Sequence, residues 1–425
     1  MEAQAVTVDL QPLFEELTPL QLVELDACVH CGECVKWCPA TAVEDDLKNT
    51  PMDKIAILRN LVQRRHGPLG FLKRGLHDED IQRLAEEVYR CTACGRCGVV
   101  CPVGINCQEL WPAVRGALVK MGYGPLEKIR ETQGIMERVH NPFDFPQSDR
   151  NRWFGDFRPK DRAEIVFFVG CELAYRVTPM AEGAVKVFSA GGADFTVSRD
   201  EWCCGYPLYA LGNRSDEIRL EIEHNIEAIK KLGAKRVAAS CPCCYGMLKN
   251  RWPDYAGELP FEVVHVLNIA DELLQSGKLR FTKPYAGGPI VYHDPCYLSR
   301  GWGAGEGVIE EPRRLLRAIE GVELIELPEN RRLSLCPGSG GGIRRAAPEL
   351  SEKMAARFVE EVKKTGAELL ITSCPAVYER ANHILSMTAE HKVEEGEPWG
   401  VDDRAITAHP PFKVMDIMDF AARHL

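Results

Sequence analysis

Two kinds of hydrophobic pattern divide this chain. Early on, apolar residues recur at helical spacing. In MDKIAILRNLVQRRHG they fall at Ile55, Ile57, Leu58, Leu61 and Val62. DEDIQRLAEEVYRC repeats that period, with Asp78 in the place of an N-cap. Later the pattern changes to short unbroken apolar runs, EIVFFVG and ELLITS, which suit parallel strands buried on both faces. Between such runs lie helices that end in glycine, AVKVFSAGG and IEHNIEAIKKLG. The stretch 122–161, with NPFDFPQSDRNRWFGDFRP, has neither period; its Pro, Asn and aromatic content predicts an irregular connector that packs against something. The expected fold class is therefore all-α followed by α/β.

The α/β part is an internal repeat. AEIVFFVGCELAYR (163–176) aligns with GPIVYHDPCYLSR (288–300), SRDEWCCGYPLYALG (198–212) with RRLSLCPGSGGG (331–342), and IKKLGAKRVAASCPCCYGML (229–248) with VKKTGAELLITSCPAVYERA (362–381). The offset is 125 at the first cysteine (171 to 296) and 133 at the others (203 to 336, 241 to 374). Each copy predicts a small α/β unit with cysteines at the carboxyl ends of its strands, where open α/β sheets place their sites.

Eight of the 18 cysteines form two matched runs, CVHCGECVKWCP and CTACGRCGVVCP. Each reads C-x2-C-x2-C-x3-C-P, the bacterial ferredoxin spacing for [4Fe–4S] clusters, in which the fourth cysteine reaches the other cluster. Cluster one is assigned to Cys28, Cys31, Cys34 and Cys101, and cluster two to Cys91, Cys94, Cys97 and Cys38. One run alone would also suit zinc or disulfides; two complete runs do not. The 52 residues between Cys38 and Cys91 hold helices rather than short hairpins, which gives an α-helical ferredoxin domain. Paired cubanes move single electrons, so the chain is expected to be, or to contain, a redox relay.

Copy one carries Cys171, the Cys203-Cys204-Gly205 triplet, and Cys241-x2-Cys244. Five thiolates are one more than tetrahedral zinc takes and suit a larger iron–sulfur assembly. This pattern resembles the CCG (cysteine-rich) domain of heterodisulfide reductase catalytic subunits and their relatives. The order of helical ferredoxin domain and two CCG copies covers nearly the whole chain, and iron–sulfur subunits of glycolate oxidase and anaerobic glycerol-3-phosphate dehydrogenase share it. The resemblance implies that Cys171, Cys203, Cys204, Cys241 and Cys244 bind a non-cubane [4Fe–4S] cluster that cleaves a disulfide. It divides the chain into a ferredoxin domain (1–121), a connector (122–161), a first CCG domain (162–284) and a degenerate second (285–425). Copy two keeps Cys296, Cys336 and Cys374 but has Pro337 where copy one has Cys204, and Val377 where it has Cys244. Three readings stay open for these thiols: ligands of a further iron–sulfur cluster with one non-cysteine position, lining of the copy-one site, or relics in a core.

Bland readings accompany the other candidates. His293, in YHDPC, reads as a structural histidine before a fourth ligand or proton donor. Cys243 reads as a spare thiol and Cys107 as a core residue. GSGGG (Gly338, Gly340, Gly341, Gly342) lacks a following Lys-Ser or Lys-Thr, so it is a close backbone approach to a cluster and not a phosphate loop. Arg176, Arg300, Arg344 and Arg345 read as surface ion pairs before an anion site.

Charge narrows the partners. Lys and Arg number 52 against 62 Asp and Glu, a net −10 that argues against nucleic acid. No apolar run of membrane-spanning length and no signal sequence is visible, and cysteines in cluster spacing suit a reducing cytoplasm, reached at the inner membrane face only through a partner. No nucleotide or flavin fingerprint appears, so electrons must come from another chain: a flavoprotein, a ferredoxin, or a b-type cytochrome or quinone-linked membrane subunit. Two expectations follow. In one, electrons pass through the cubanes to the copy-one cluster, where a disulfide is reduced or formed. In the other, the chain is an electron-transfer subunit of a larger reductase, of the benzoyl-CoA reductase kind, with no substrate of its own.

Overall fold

The computed structural model describes residues 9–44, 50–66, 78–213, 216–303, 306–388 and 410–425. The first part is helical. Pro19–Asp26 starts from a capping box in which Thr18 and Gln21 satisfy each other's backbone amides. Pro51–His66, Asp78–Tyr89 and Cys107–Lys120 pack Leu58, Leu61, Ile81, Leu84, Val88, Leu110 and Val114 into one core. Each such fully buried side chain contributes about 1.5–3 kcal/mol. Asp78 is the first helical residue rather than the N-cap, and its carboxylate accepts from the hydroxyl of Tyr123. Both ferredoxin runs turn at a left-handed glycine, Gly32 (φ 79°) and Gly95 (φ 75°), each opening a one-turn helix. A Cβ on Gly95 would lie 2.1 Å from Gln108 Cγ, so the second turn has no room for another residue.

Copy one is a four-stranded parallel sheet of β1 (Ile165–Phe168), β2 (Phe195–Val197), β3 (Arg236–Ala239) and β4 (Glu262–His265), ordered β2-β1-β3-β4. Val166 pairs in register with Thr196 and Val237. Copy two repeats it with β5 (Ile290–His293), β6 (Leu324–Glu326), β7 (Leu369–Thr372) and β8 (Lys413–Asp416), ordered β6-β5-β7-β8. Val291 pairs with Ile325 and Leu370. β1, β5 and β7 are buried along their whole length, as their unbroken apolar sequences require.

The two copies share a core: Phe167, Phe168 and Val237 belong to the same buried cluster as Ile290, Tyr292 and Ile417. Helix Ile417–Arg423, which follows β8, packs on Thr178–Ala190 of copy one. Gly183 makes that crossing possible, since a Cβ there would meet the backbone of Met418 and Asp419 at 2.5–2.7 Å. The ferredoxin domain is fastened to both copies by Arg115. Its guanidinium, fully buried, donates to the carbonyls of Val88, Cys91, Ala210 and Gly341.

Candidate redox site

Among the described residues, thiols line three cavities. Cys28, Cys31, Cys34 and Cys101 line the first, together with Cys97 and Cys107. Cys38, Cys91, Cys94 and Cys97 line the second. The fourth cysteine of each run thus reaches across to the cavity of the other. Burial pushes the Cys34 thiol up to about 12, and the neighbouring Cys97, Cys28, Cys101 and Cys31 push the same way. Cys107 is buried as expected of a core residue, but its thiol also touches Cys97.

The third cavity, about 190 Å³ and open to solvent, is lined by Cys171, Cys203, Cys204, Cys241, Cys243 and Cys244. Cys171 opens a short helix after β1, Cys203 and Cys204 follow β2, and Cys241 caps helix Pro242–Asn250 after β3. Their thiols form a chain of contacts, Cys171 to Cys203, Cys203 to Cys204, Cys204 to Cys244, Cys244 to Cys241 and Cys241 to Cys243. Burial raises Cys204, but the thiols of Cys203 and Cys244 beside it bring it down to about 6. Gly170 faces this chain, and a Cβ on it would lie 2.9 Å from Cys244 Sγ.

Copy two supplies the opposite wall: Ser339, Gly340, Gly341, Gly342, Arg344, Arg345, Pro375 and Ala376. Its glycine loop also lies against the ferredoxin domain, where a Cβ on Gly341 (φ +61°) would meet the Thr92 backbone at 2.7 Å. The GSGGG segment is therefore a close backbone approach, to the polypeptide beside Cys91.

The three thiols of copy two do not gather in one place: Cys296 and Cys336 touch, and Cys374 lies against copy one. Cys336 touches Cys94 of the ferredoxin domain and Cys296, whereas Cys374 faces Cys241 and Cys243 of copy one. Val377 packs in the copy-two core. His293 bonds the Leu335 carbonyl through Nε2 at 2.9 Å and packs edge-on against Phe358. Burial lowers it to about 4, so its ring is neutral. Arg300, expected at the surface, is buried. It donates to the carbonyls of Arg332, Ser334 and Cys94, which lie outside α-helices and strands where copy two meets the ferredoxin domain.

Charges ring the cavity. Arg176 pairs with Glu379 at 2.9 Å, and Arg344 reaches Glu379 at 3.2 Å and Glu172 at 4.0 Å. Burial, then repulsion by Glu379, raises the Glu172 carboxyl to about 8. Arg345 donates to Thr132 Oγ1 and the Pro142 carbonyl, and burial lowers it. Sequence reasoning missed Glu172, Glu379, Arg150 and Glu201. Glu201 lies two residues before Cys203, and the repeat has Ser334 at that place; a difference inside an aligned repeat was the available signal.

Among the described residues no three His, Cys, Asp or Glu groups are set for a single metal ion. Many thiols facing one cavity suit a cluster wider than an ion. No described helix is long and apolar enough to cross a membrane.

Family comparisons agree with this arrangement. Residues 24–105 match the 4Fe-4S dicluster domain, and residues 165–249 and 290–376 match the cysteine-rich domain. The fold and these domains define an iron–sulfur oxidoreductase component. The chain is 37% identical over 369 residues to the D-type component of dihydromethanophenazine:CoB–CoM heterodisulfide reductase from Methanosarcina barkeri, covering 85% of this chain and 89% of that one. It belongs to the HdrD-like family of heterodisulfide reductase catalytic components. It is also 26% identical over 400 residues to an EtfAB:quinone oxidoreductase of Syntrophomonas wolfei, covering 83% of this chain and 54% of that one. A crystal structure of a hypothetical protein from Helicobacter pylori is similar in fold, with a TM-score of 0.50, 8% identity, and coverage of 98% of this chain and 76% of that one.

Proposed function

We propose that this chain reduces or forms a disulfide at the copy-one cavity, fed with electrons through the ferredoxin domain. The observation that carries this reading is the convergence of Cys171, Cys203, Cys204, Cys241 and Cys244 on one solvent-open cavity. The residues present fit the cofactors the family implies. Cys28, Cys31, Cys34 and Cys101 would hold one [4Fe–4S] cubane, and Cys91, Cys94, Cys97 and Cys38 the other. The five copy-one thiols would hold a non-cubane [4Fe–4S] cluster. When bound, such groups supply one-electron transfer and, at the open site, a place for substrate sulfur. In this reading the chain's units are those expected from sequence, 1–121, 122–161, 162–284 and 285–425.

The remaining work falls to side chains. Cys243 lines the cavity beside Cys241, and Cys374 lies close to both without lining it. Glu172, which lines the cavity within reach of Arg344, is the carboxyl placed to move a proton there. Arg344 and Arg345 stand at the wall where a substrate enters. Electrons arrive from a redox partner: a flavoprotein, a ferredoxin, or a cytochrome b or quinone-linked membrane subunit. The names of the relatives in Methanosarcina and Syntrophomonas support such partners.

A second reading makes the chain a pure electron-transfer subunit. It rests on copy two, where Pro337 and Val377 replace two of five thiols and leave half of a doubled site. Low-temperature EPR of the oxidised, anaerobically purified protein, with and without candidate thiols, separates the two. A paramagnetic signal that appears only with thiol supports disulfide chemistry at this chain. Silence with thiols, beside normal cubane signals on reduction, assigns the chemistry to a partner.

A further inference from the structure

We infer that Arg150, delivered by the connector, is a positioning residue that hydrogen-bonds the Cys171 sulfur and sets how readily the five-thiol site accepts an electron. The inference rests on the reading of Cys171 as a cluster ligand. Arg150 follows the single turn Gln147–Asp149 and is 2% exposed. Its Nη1 lies 3.5 Å from Cys171 Sγ, and its Nη2 donates to Glu201 and, at 3.4 Å, to the Trp202 carbonyl. The ring of Tyr175 covers it, 5.6 Å from the guanidinium carbon.

A guanidinium does not shed its proton. Burying one costs several kcal/mol unless an anion and further hydrogen bonds satisfy it. Glu201 supplies the anion. Its carboxylate is itself fixed by the amides of Val169 and Gly170, both at 2.8 Å, the two residues that precede Cys171. The pair is thus neutral overall yet directional: the carboxylate holds the end of β1, and the free edge of the guanidinium points at sulfur. A charged donor on a thiolate withdraws electron density from it, and hydrogen bonds to cluster sulfurs raise the reduction potential.

The repeat contains its own control. Ser334 stands where copy one has Glu201, and its hydroxyl donates to the Asp294 carbonyl. Copy two also buries guanidiniums, but Arg313 bonds Asp294, Glu326 and the Ile309 carbonyl, and Arg300 bonds the carbonyls of Arg332, Ser334 and Cys94. Among the described residues, the arginine aimed at a copy's first cysteine is in the copy with the complete thiol set.

The test is an anaerobic redox titration of the whole protein followed by EPR, with iron and sulfide assayed on every sample. Arg150→Gln should make the five-thiol site about tenfold harder to reduce, a downward shift of about 59 mV for one electron. The ferredoxin signals should keep their potentials. Arg150→Lys, which keeps the charge, should recover most of the shift. Glu201→Gln, which leaves the arginine uncompensated, should move the site upward. Full iron content with wild-type potentials in Arg150→Gln would overturn the inference. Should Arg150→Gln fail to load iron, Glu201→Gln decides: an upward shift supports the role, and an unmoved potential overturns it. Wild-type protein with no iron beyond that of the ferredoxin domain would sink the ligand reading itself, and this inference with it.

Discussion

Copy one and copy two have the same sheet order and put cysteines at the same three strand ends, yet only copy one gathers them. In copy one, Cys171, Cys203, Cys204, Cys241 and Cys244 face a common space. In copy two, Pro337 and Val377 fill two of the places; Cys296 and Cys336 still touch, but Cys336 also meets Cys94, and Cys374 lies apart against Cys241 and Cys243. The second copy has become a wall. Its glycine loop, Arg344 and Arg345 close the cavity of the first, and the same loop presses on Thr92 of the ferredoxin domain. A repeated fold need not repeat a site: with two motif cysteines replaced, copy two forms an interface where copy one has a five-thiol cavity.

The largest effect should come from the ligand thiols. Cys204→Ser or Cys241→Ser should lower disulfide turnover by ~100-fold or more, with iron lost at that site and the ferredoxin EPR signals kept. Equal loss from Cys336→Ser or Cys374→Ser would end the distinction between the copies. Next comes the wall itself. Gly341→Ala strains a left-handed backbone and drives a Cβ into the Thr92 carbonyl. It should cost about 2–4 kcal/mol, read as a lower midpoint in chemical denaturation.

The repeat and the ferredoxin runs were legible because their signals are local: strand-end cysteines, apolar runs, and fixed spacings. What joins them was not. Arg115 lies on a helix and reads as one more basic residue, yet it bonds carbonyls from three distant segments. Arg300 likewise reads as surface and is buried. Neither has a period or a motif, because the partners are backbone carbonyls that any residue carries. The turn of Cys336 toward Cys94 was hidden for the same reason, since the two are far apart in sequence and meet only when the domains dock.

A smaller effect concerns acid. Among the described residues each copy buries one neutral histidine, His265 at the end of β4 and His293 at the end of β5, and burial holds both at about 4 against an ordinary 6.5. Unfolded chains take up these protons first as pH falls. The stabilisation is therefore complete above 6.5 and lost on the way down to about 4. Each ring should account for ~1–3 kcal/mol of that loss. Urea titrations across this range should show the slope, and His293→Asn should flatten it; a slope unchanged by the variant would refute the assignment. The smallest expected effect is that of Cys296→Ala with Cys336→Ala. Iron content should match wild type, whereas a loss of iron would return a cluster to copy two.

The crossing of Ile417–Arg423 over Thr178–Ala190 has a consequence during synthesis. Copy one is made early, but part of its hydrophobic surface has no cover until residues 417–423 leave the ribosome, 227 positions after residue 190 (417 − 190). At about 5–20 residues per second that wait is roughly 11–45 s. For most of it the wall supplied by residues 339–376 is also missing, so the copy-one cavity lacks that side. The apolar face of Thr178–Ala190 thus needs protection for a time set by a helix that lies outside the cavity.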